Sequence, residues 1–112
     1  MVIKLLFLES IIKDEVEKMR PPLHIRNQLD IGYSLQNQSL EIFEIRPRWN
    51  NNSQIENYPF AKAKYIKSKD IWRIYWKRAS GNWKLYDPFP ETNNITKFFS
   101  IINEDEFNVF KG

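Results

Sequence analysis

Residues 71–86 read IWRIYWKRASGNWKLY, and aromatic or aliphatic residues alternate with basic ones through most of this segment. Aromatic and β-branched residues favour a pleated, half-buried strand. The glycine of Ser80-Gly81 accepts a positive φ at no steric cost, so this pair can form a two-residue turn. The segment therefore predicts a β-hairpin with strands Ile71–Ala79 and Asn82–Tyr86.

The predicted turn sorts the side chains of the hairpin into two faces. It places Tyr75 opposite Tyr86 and Lys77 opposite Lys84, and directly opposed residues share a face. Because successive residues alternate faces, the tryptophans point one way and most of the cations the other. The predicted core face carries Trp72, Ile74, Trp76, Arg78, Trp83 and Leu85, and the predicted solvent face carries Arg73, Tyr75, Lys77, Lys84 and Tyr86.

A third strand, Phe60–Lys67, extends both faces. A turn at Ser68-Lys69 places Ala61 opposite Trp76, and small residues beside tryptophans suit a tightly packed layer. The same register places Lys64 opposite Arg73, a like-charge pair that destabilises a sheet unless an anion binds there. The outward wall of cations and tyrosines is then predicted to comprise Lys62, Lys64, Arg73, Tyr75, Lys77, Lys84 and Tyr86.

The remaining segments predict two helices and another hairpin. Apolar residues recur at helical spacing over residues 3–20, and Pro21-Pro22 ends that helix. Asn94 is the predicted cap of a helix over residues 95–103. Residues 49–58 have loop composition. The apolar stripe of the first helix consists of Leu5, Leu8, Ile12, Val16 and Met19, and the additional strands are Gln28–Gln36 and Ser39–Arg46.

These elements predict an α+β fold. We expect one domain over residues 1–112, with a single antiparallel meander of four to five strands between residues 28 and 86. The N-terminal and C-terminal helices are expected to pack on one face of that sheet.

A turn at Asn37-Gln38 joins the strands Gln28–Gln36 and Ser39–Arg46 and places Ile31 opposite Glu44. The apolar face of this hairpin ends in two charges, Glu44 and Arg46, and Pro47 is expected to stop regular pairing there. A buried charge is costly unless it is paired and hydrogen-bonded. One interpretation is an ion pair between these two side chains at the sheet margin, joined by Arg20 or Arg26. The other is an anion pocket in which fork-shaped arginine donors grip a ligand. The pocket candidates are Arg20, Arg26, Glu44, Arg46, Arg48 and Trp49.

Composition limits the classes of site. The 112 residues include no cysteine and one histidine, His24, so disulfides, thiolate sites and paired-histidine metal motifs are excluded. We expect no metal, no cofactor and no catalytic residue. No run reaches the roughly 20 apolar residues of a membrane span. A cytoplasmic protein without membrane contact is expected, as a monomer or small homo-oligomer.

The net charge of +3 is unevenly distributed. Residues 60–86 hold eight basic side chains and one acidic one, net +7, whereas residues 87–112 are net −3. Positive potential in the middle of the chain suits a polyanion. Abundant surface lysines without any role are the alternative explanation.

Several stretches resemble the DUF3024 family of small bacterial proteins of unknown function. They are Arg20-Pro21-Pro22 with Ile25-Arg26, Glu44-Ile45-Arg46-Pro47-Arg48-Trp49, Ala61-Lys62-Ala63, residues 72–78, Trp83 with Tyr86, and Phe110-Lys111-Gly112. The similarity spans residues 18–112. Lys84 stands where the family often has a histidine, and Phe110-Lys111 where it often has two phenylalanines. The resemblance implies no activity.

Three functions follow from these patterns. The first is a non-enzymatic module that binds nucleic acid or another polyanion through the outward wall. The second is a protein–protein adaptor, which predicts an exposed apolar patch around Trp49, Phe60, Ile66 and Ile71. The third is an enzyme in which Glu44 is a base, Arg46 and Arg48 hold an anion, and His24 completes the pocket. The absence of nucleophile and phosphate-loop motifs ranks this third function last.

Overall fold

The computed structural model describes the backbone of residues 2–111 and the side chains of residues 7–111. Helix α1 spans Val2–Met19, a short 3-10 helix spans Leu23–Ile25, and helix α2 spans Ile95–Glu104. The strands are β1 (Asp30–Gln36), β2 (Ser39–Arg48), β3 (Asn51–Ile66), β4 (Ile71–Lys77), β5 (Trp83–Leu85) and β6 (Glu91–Thr92).

The sheet is an antiparallel meander in the order β1-β2-β3-β4-β5, and β6 pairs with β4. The α+β prediction is therefore confirmed. The predicted register of β3 on β4 is also confirmed, because Ala61 lies opposite Trp76 and Lys64 opposite Arg73. The pairing of β1 with β2 is as predicted too, with Glu44 opposite Ile31.

Both helices pack on one face of the sheet, as predicted. In α1 the buried side chains are Ile12 and Val16, and Leu8 and Met19 pack beside them. The side chain of Leu5, the other member of the predicted stripe, lies outside the described residues. The core also contains Leu40, Ile42, Ala61, Ala63, Trp72, Ile74, Phe98, Phe99 and Ile102. We call this side of the sheet the core face and the opposite side the outer face.

The segment predicted as a loop at residues 49–58 is a strand from Asn51 onward. It pairs with β2 beyond Pro47, the residue expected to stop pairing, which lies opposite Ile55. β1 ends opposite Ile45, so Pro47 of β2 has no neighbouring strand on that side. Proline is tolerated at such an edge because its lack of an N–H group costs no hydrogen bond of the sheet. The arm formed by residues 46–57 thus projects beyond β1 and β4, and its polar side chains remain solvated.

The turn of the central hairpin also differs from the prediction. The loop has three residues, Ala79, Ser80 and Gly81, closed by a hydrogen bond from the Arg78 amide to the Asn82 carbonyl at 2.9 Å. A two-residue turn would place Ser80 at a positive φ, whereas the three-residue loop places only Gly81 there, at 93°. β5 is consequently shifted by one position, with Trp83 opposite Lys77 and Leu85 opposite Tyr75.

The chain after α2 is held to the core by one carboxylate. Asp105 accepts hydrogen bonds from the backbone amides of Val109 at 2.9 Å, Phe110 at 3.0 Å and Lys111 at 2.9 Å. These bonds bring Phe110, which is 4% exposed, against Tyr86 with ring centroids 5.0 Å apart. Phe107, which precedes this tail, is 55% exposed.

We therefore expect Asp105→Ala to lower the free energy of unfolding by about 2 kcal/mol, because three backbone donors lose their acceptor. Asp105→Asn should cost less, since its amide keeps one acceptor oxygen and Asn tolerates the left-handed backbone at this position. Urea denaturation measures both. Glu104→Ala is the control and should stay within about 0.5 kcal/mol. Equal losses for Asp105→Ala and Glu104→Ala would contradict this role.

Candidate functional site

The central strands carry a group of cations and aromatic rings on the outer face. We call this group the cationic face. It comprises Lys62, Lys64, Arg73, Tyr75, Lys77 and Trp83, all of them half-buried or exposed. Both helices pack on the core face, so the cationic face is open to solvent among the described residues. Five of the seven residues predicted for the outward wall belong to it.

At the centre of the cationic face, two lysines lie over aromatic rings. The Lys62 Nζ is 5.1 Å from the centroid of the Tyr75 ring and 5.0 Å from that of the Trp83 ring. The Lys77 Nζ is 5.2 Å from the Trp83 ring. Ammonium groups at this distance are attracted by the ring quadrupole, so the contacts hold two flexible lysines in place beside half-exposed rings.

The charges around Lys62 oppose one another. Burial lowers the pKa of Lys62, and nearby Lys64 and Lys77 lower it further, whereas Glu41 acts in the opposite direction. Glu41 lies directly opposite Lys62 on β2, and Glu91 lies opposite Arg73 on β6. Four cations against two flanking carboxylates leave the face with a net charge of +2, and its positive charge is concentrated on β3 and β4.

Two residues of the predicted wall are not on the cationic face. Tyr86 is 4% exposed and lies in the core against Phe110, and this burial raises its pKa. Lys84 lies opposite Trp76 on the core-face side, is exposed, and has its Nζ 3.9 Å from Asp87. Both corrections follow from the shift of β5 by one position, because a one-residue slip moves every side chain of a strand to the other face.

The same shift places Trp83 on the cationic face, although the predicted register assigned it to the core. Leu85, also assigned to the core, lies opposite Tyr75 on the outer face. The signal that identifies Trp83 is the position of the glycine. Gly81 is the last residue of the loop, which is where a three-residue hairpin loop requires a left-handed residue.

The arginines of the predicted anion pocket are occupied within the chain. The Arg20 guanidinium donates from Nε and Nη2 to the two carboxylate oxygens of Asp30, both at 2.9 Å, and lies 3.3 Å from Glu17. The Arg26 Nε donates to the Pro21 carbonyl at 3.0 Å. These contacts tie the end of α1 to the start of β1, so Arg20 joins Asp30 and Glu17 rather than Glu44.

The remaining pocket candidates lie along the arm. Arg46 is 3.3 Å from Glu44 and stacks over the Tyr58 ring at 3.8 Å. Arg48 is 3.6 Å from Glu56 and donates to Gln54 at 3.1 Å. Trp49 lies in the turn of the arm and is 89% exposed. The Glu44–Arg46 ion pair is thus present, and the arginines do not converge on a common cavity.

The residues of the predicted apolar patch do not form one continuous surface. Trp49 is at the tip of the arm, whereas Ile66 pairs with Ile71 at the opposite end of β3. Phe60 is partly buried against the core. His24 is exposed in the 3-10 helix. Among the described residues, no three histidine, cysteine or acidic side chains are grouped to hold a metal ion. No described helix combines the length and hydrophobicity that a membrane crossing requires.

The Arg20–Asp30 contact predicts a dependence of stability on pH. Hydrogen bonds from Arg20 lower the pKa of Asp30 below its ordinary value of 3.8. A lowered folded-state pKa stabilises the fold above that ordinary value, and the contribution is lost as the pH falls through the folded-state pKa. Asp30→Asn should therefore be less stable than the unmodified chain at pH 7, with the difference shrinking below about pH 4.

Urea denaturation between pH 7 and pH 2 measures this difference. Asp14→Asn, at an exposed position on α1, is the matched control and should show little difference at any pH. A loss for Asp30→Asn that is the same at both ends of the pH range would contradict the role of its charge.

Comparison with known proteins adds a family and no activity. The model of the family described as "Domain of unknown function (DUF3024)" matches residues 6–112. Searches of the curated proteins and of the solved structures found no significant match.

Proposed function

Because the chain belongs to the DUF3024 family, a domain of unknown function, we propose its function from its own surface: it is a non-enzymatic module that binds single-stranded nucleic acid through the cationic face. The observation that carries this proposal is the position of Lys62 between the Tyr75 and Trp83 rings, about 5 Å from each, on an open sheet face.

The cationic face offers groups that suit both the phosphate and the base of a nucleotide. Lysine and arginine neutralise phosphates, and this interaction dominates affinity for nucleic acid. Aromatic rings on a sheet stack on unpaired bases without strong sequence preference. Tyr75 and Trp83 lie on adjacent strands within the same group of cations, so a single strand can place bases and phosphates on this surface together.

The arrangement of ion pairs also favours this face over the rest of the surface. Arg46 and Arg48 are already paired with Glu44 and Glu56. Lys64 and Arg73 instead lie directly opposite each other, so their charges repel. A phosphate between them would remove that repulsion, because an anion beside two like cations lowers the energy of both. Binding of a phosphate would therefore also remove a repulsion that destabilises the sheet.

Charge reversal tests the phosphate part of the proposal. The triple variant Lys62→Glu, Lys64→Glu, Arg73→Glu should weaken binding of fluorescein-labelled oligo-dT at least tenfold in fluorescence anisotropy. Over a salt series, the slope of log affinity against log salt should become shallower by about 2, since each phosphate contact on a single strand contributes about 0.7.

The matched control is Lys13→Glu, Lys18→Glu, Lys97→Glu, which makes the same change in net charge on the two helices. Its affinity should stay much closer to that of the unmodified chain. Equal losses in the two triple variants, or binding of the unmodified chain that is insensitive to salt, would count against the cationic face as the site.

A neutral substitution tests the stacking part. Trp83→Ala should lower oligo-dT affinity by about tenfold, because loss of one stacked base costs about 1–3 kcal/mol. The salt slope should not change, since no cation is removed. Trp49→Ala removes an 89% exposed tryptophan from the tip of the arm and is the control. An effect of Trp49→Ala that equals or exceeds that of Trp83→Ala would place the site on the arm instead.

A further inference from the structure

An open cleft lies where the cationic face meets the base of the arm. β4 pairs with β3 only as far as Trp76 opposite Ala61, and Phe60 is an extra residue without a partner on β2. β3 and the chain after Lys77 therefore diverge. The resulting cleft has a volume of about 430 Å³, with residues 56–60 on one wall and Lys77, Arg78, Ala79 and Gly81 on the other.

We propose that this cleft is a subsite for one nucleobase of the strand bound on the cationic face. The inference rests on the proposed function. The cleft and the cationic face are continuous, because Lys77 lines the cleft and its Nζ also lies 5.2 Å from the Trp83 ring. A strand that leaves Trp83 along β4 reaches the cleft next.

The lining suits a flat heterocycle with a polar edge. Tyr58, Pro59 and Phe60 supply aromatic and apolar surface on the β3 wall. Asn57 is exposed there, and its carboxamide offers both donors and an acceptor, as the edge of a base requires. Pockets with mostly apolar walls and a few polar groups are the usual sites for molecules of this kind.

The charges around the cleft fit a phosphate next to that base. Arg78 is exposed, and neither Lys77 nor Arg78 has an ion-pair partner among the described residues. The one carboxylate in the lining, Glu56, is 3.6 Å from Arg48 and accepts a hydrogen bond from the Tyr58 hydroxyl at 3.1 Å. Its charge is therefore compensated by the arm, and the two cations remain available to an anion.

Ala79→Leu tests the subsite, because added bulk on the loop wall fills the cleft without changing any charge. Ser80→Leu is the matched control. Ser80 is the next residue of the same exposed loop and does not line the cleft. Thermal unfolding should show that both variants keep the stability of the unmodified chain.

Two probes separate base recognition from charge, namely a labelled 15-nucleotide oligo-dT and inorganic polyphosphate. Ala79→Leu should weaken oligo-dT binding about tenfold, in line with the loss of one bound base, and leave polyphosphate binding unchanged. Ser80→Leu should change neither by more than about twofold, as expected for a surface substitution away from the site.

The outcomes distinguish this inference from the proposed function. Oligo-dT binding that Lys62→Glu, Lys64→Glu, Arg73→Glu weakens but Ala79→Leu does not would overturn the nucleobase subsite alone. The same holds if Ala79→Leu and Ser80→Leu weaken it equally. An extended peptide that adds to the β3 edge would then be the better occupant of the cleft. Oligo-dT binding that none of these variants alters would overturn both.

Discussion

Ala61 and Ala63 are fully buried opposite Trp76 and Ile74, and the lysines that alternate with them lie on the other side of β3. A slip of one residue between β3 and β4 would turn Lys62 and Lys64 into the core. The cost of burying two unpaired ammonium groups far exceeds any gain from a different pairing. This alternation therefore fixes which side of the sheet the helices cover and which side stays open.

The open side follows from the same constraint. Because the alanines of β3 and the larger apolar side chains of β4 face the core under α1 and α2, the outward positions between them are left to cations and to half-buried rings. This positive charge is balanced only in part, by Glu41 on β2 and Glu91 on β6, which flank the cationic face. The Arg20–Asp30 contact and the ion pairs of the arm compensate Arg20, Arg46 and Arg48 locally. Lys62, Lys64, Arg73 and Lys77 therefore remain together as a cluster of cations without ion-pair partners among the described residues.

The sequence allowed prediction of those elements in which apolar residues recur with a regular period, two in a strand and about 3.6 in a helix. The registers of β3 on β4 and of β1 on β2 are of this kind, and so is α2 with its Asn94 cap. The arm was missed because Asn50, Asn51 and Asn52 are typical of loops, whereas pairing of Asn51, Ile55, Glu56 and Asn57 with β2 makes this segment a strand regardless of propensity. β6 was missed because two residues carry no periodicity.

The sequence predicted the cations of the cationic face and the Tyr75 ring, but it placed the second ring, Trp83, in the core. Both possible loops of the central hairpin use the same glycine and differ in whether Ser80 must also adopt a positive φ. That backbone requirement, rather than hydrophobicity, decides whether Trp83 or Lys84 joins Lys62 and Tyr75. Side-chain pattern alone does not distinguish the two loops, because tryptophan is common both in cores and on binding surfaces.

The environment of Lys62 has a chemical consequence. A lysine with a lowered pKa holds a larger fraction of neutral amine near neutral pH, and the neutral amine is the nucleophilic form. Partial burial therefore gives Lys62 a larger neutral fraction than a lysine whose pKa is at its ordinary value. An anion bound on top of it would reverse this, because it favours the protonated form. We therefore expect acylation of Lys62 to slow when an anion binds on this surface.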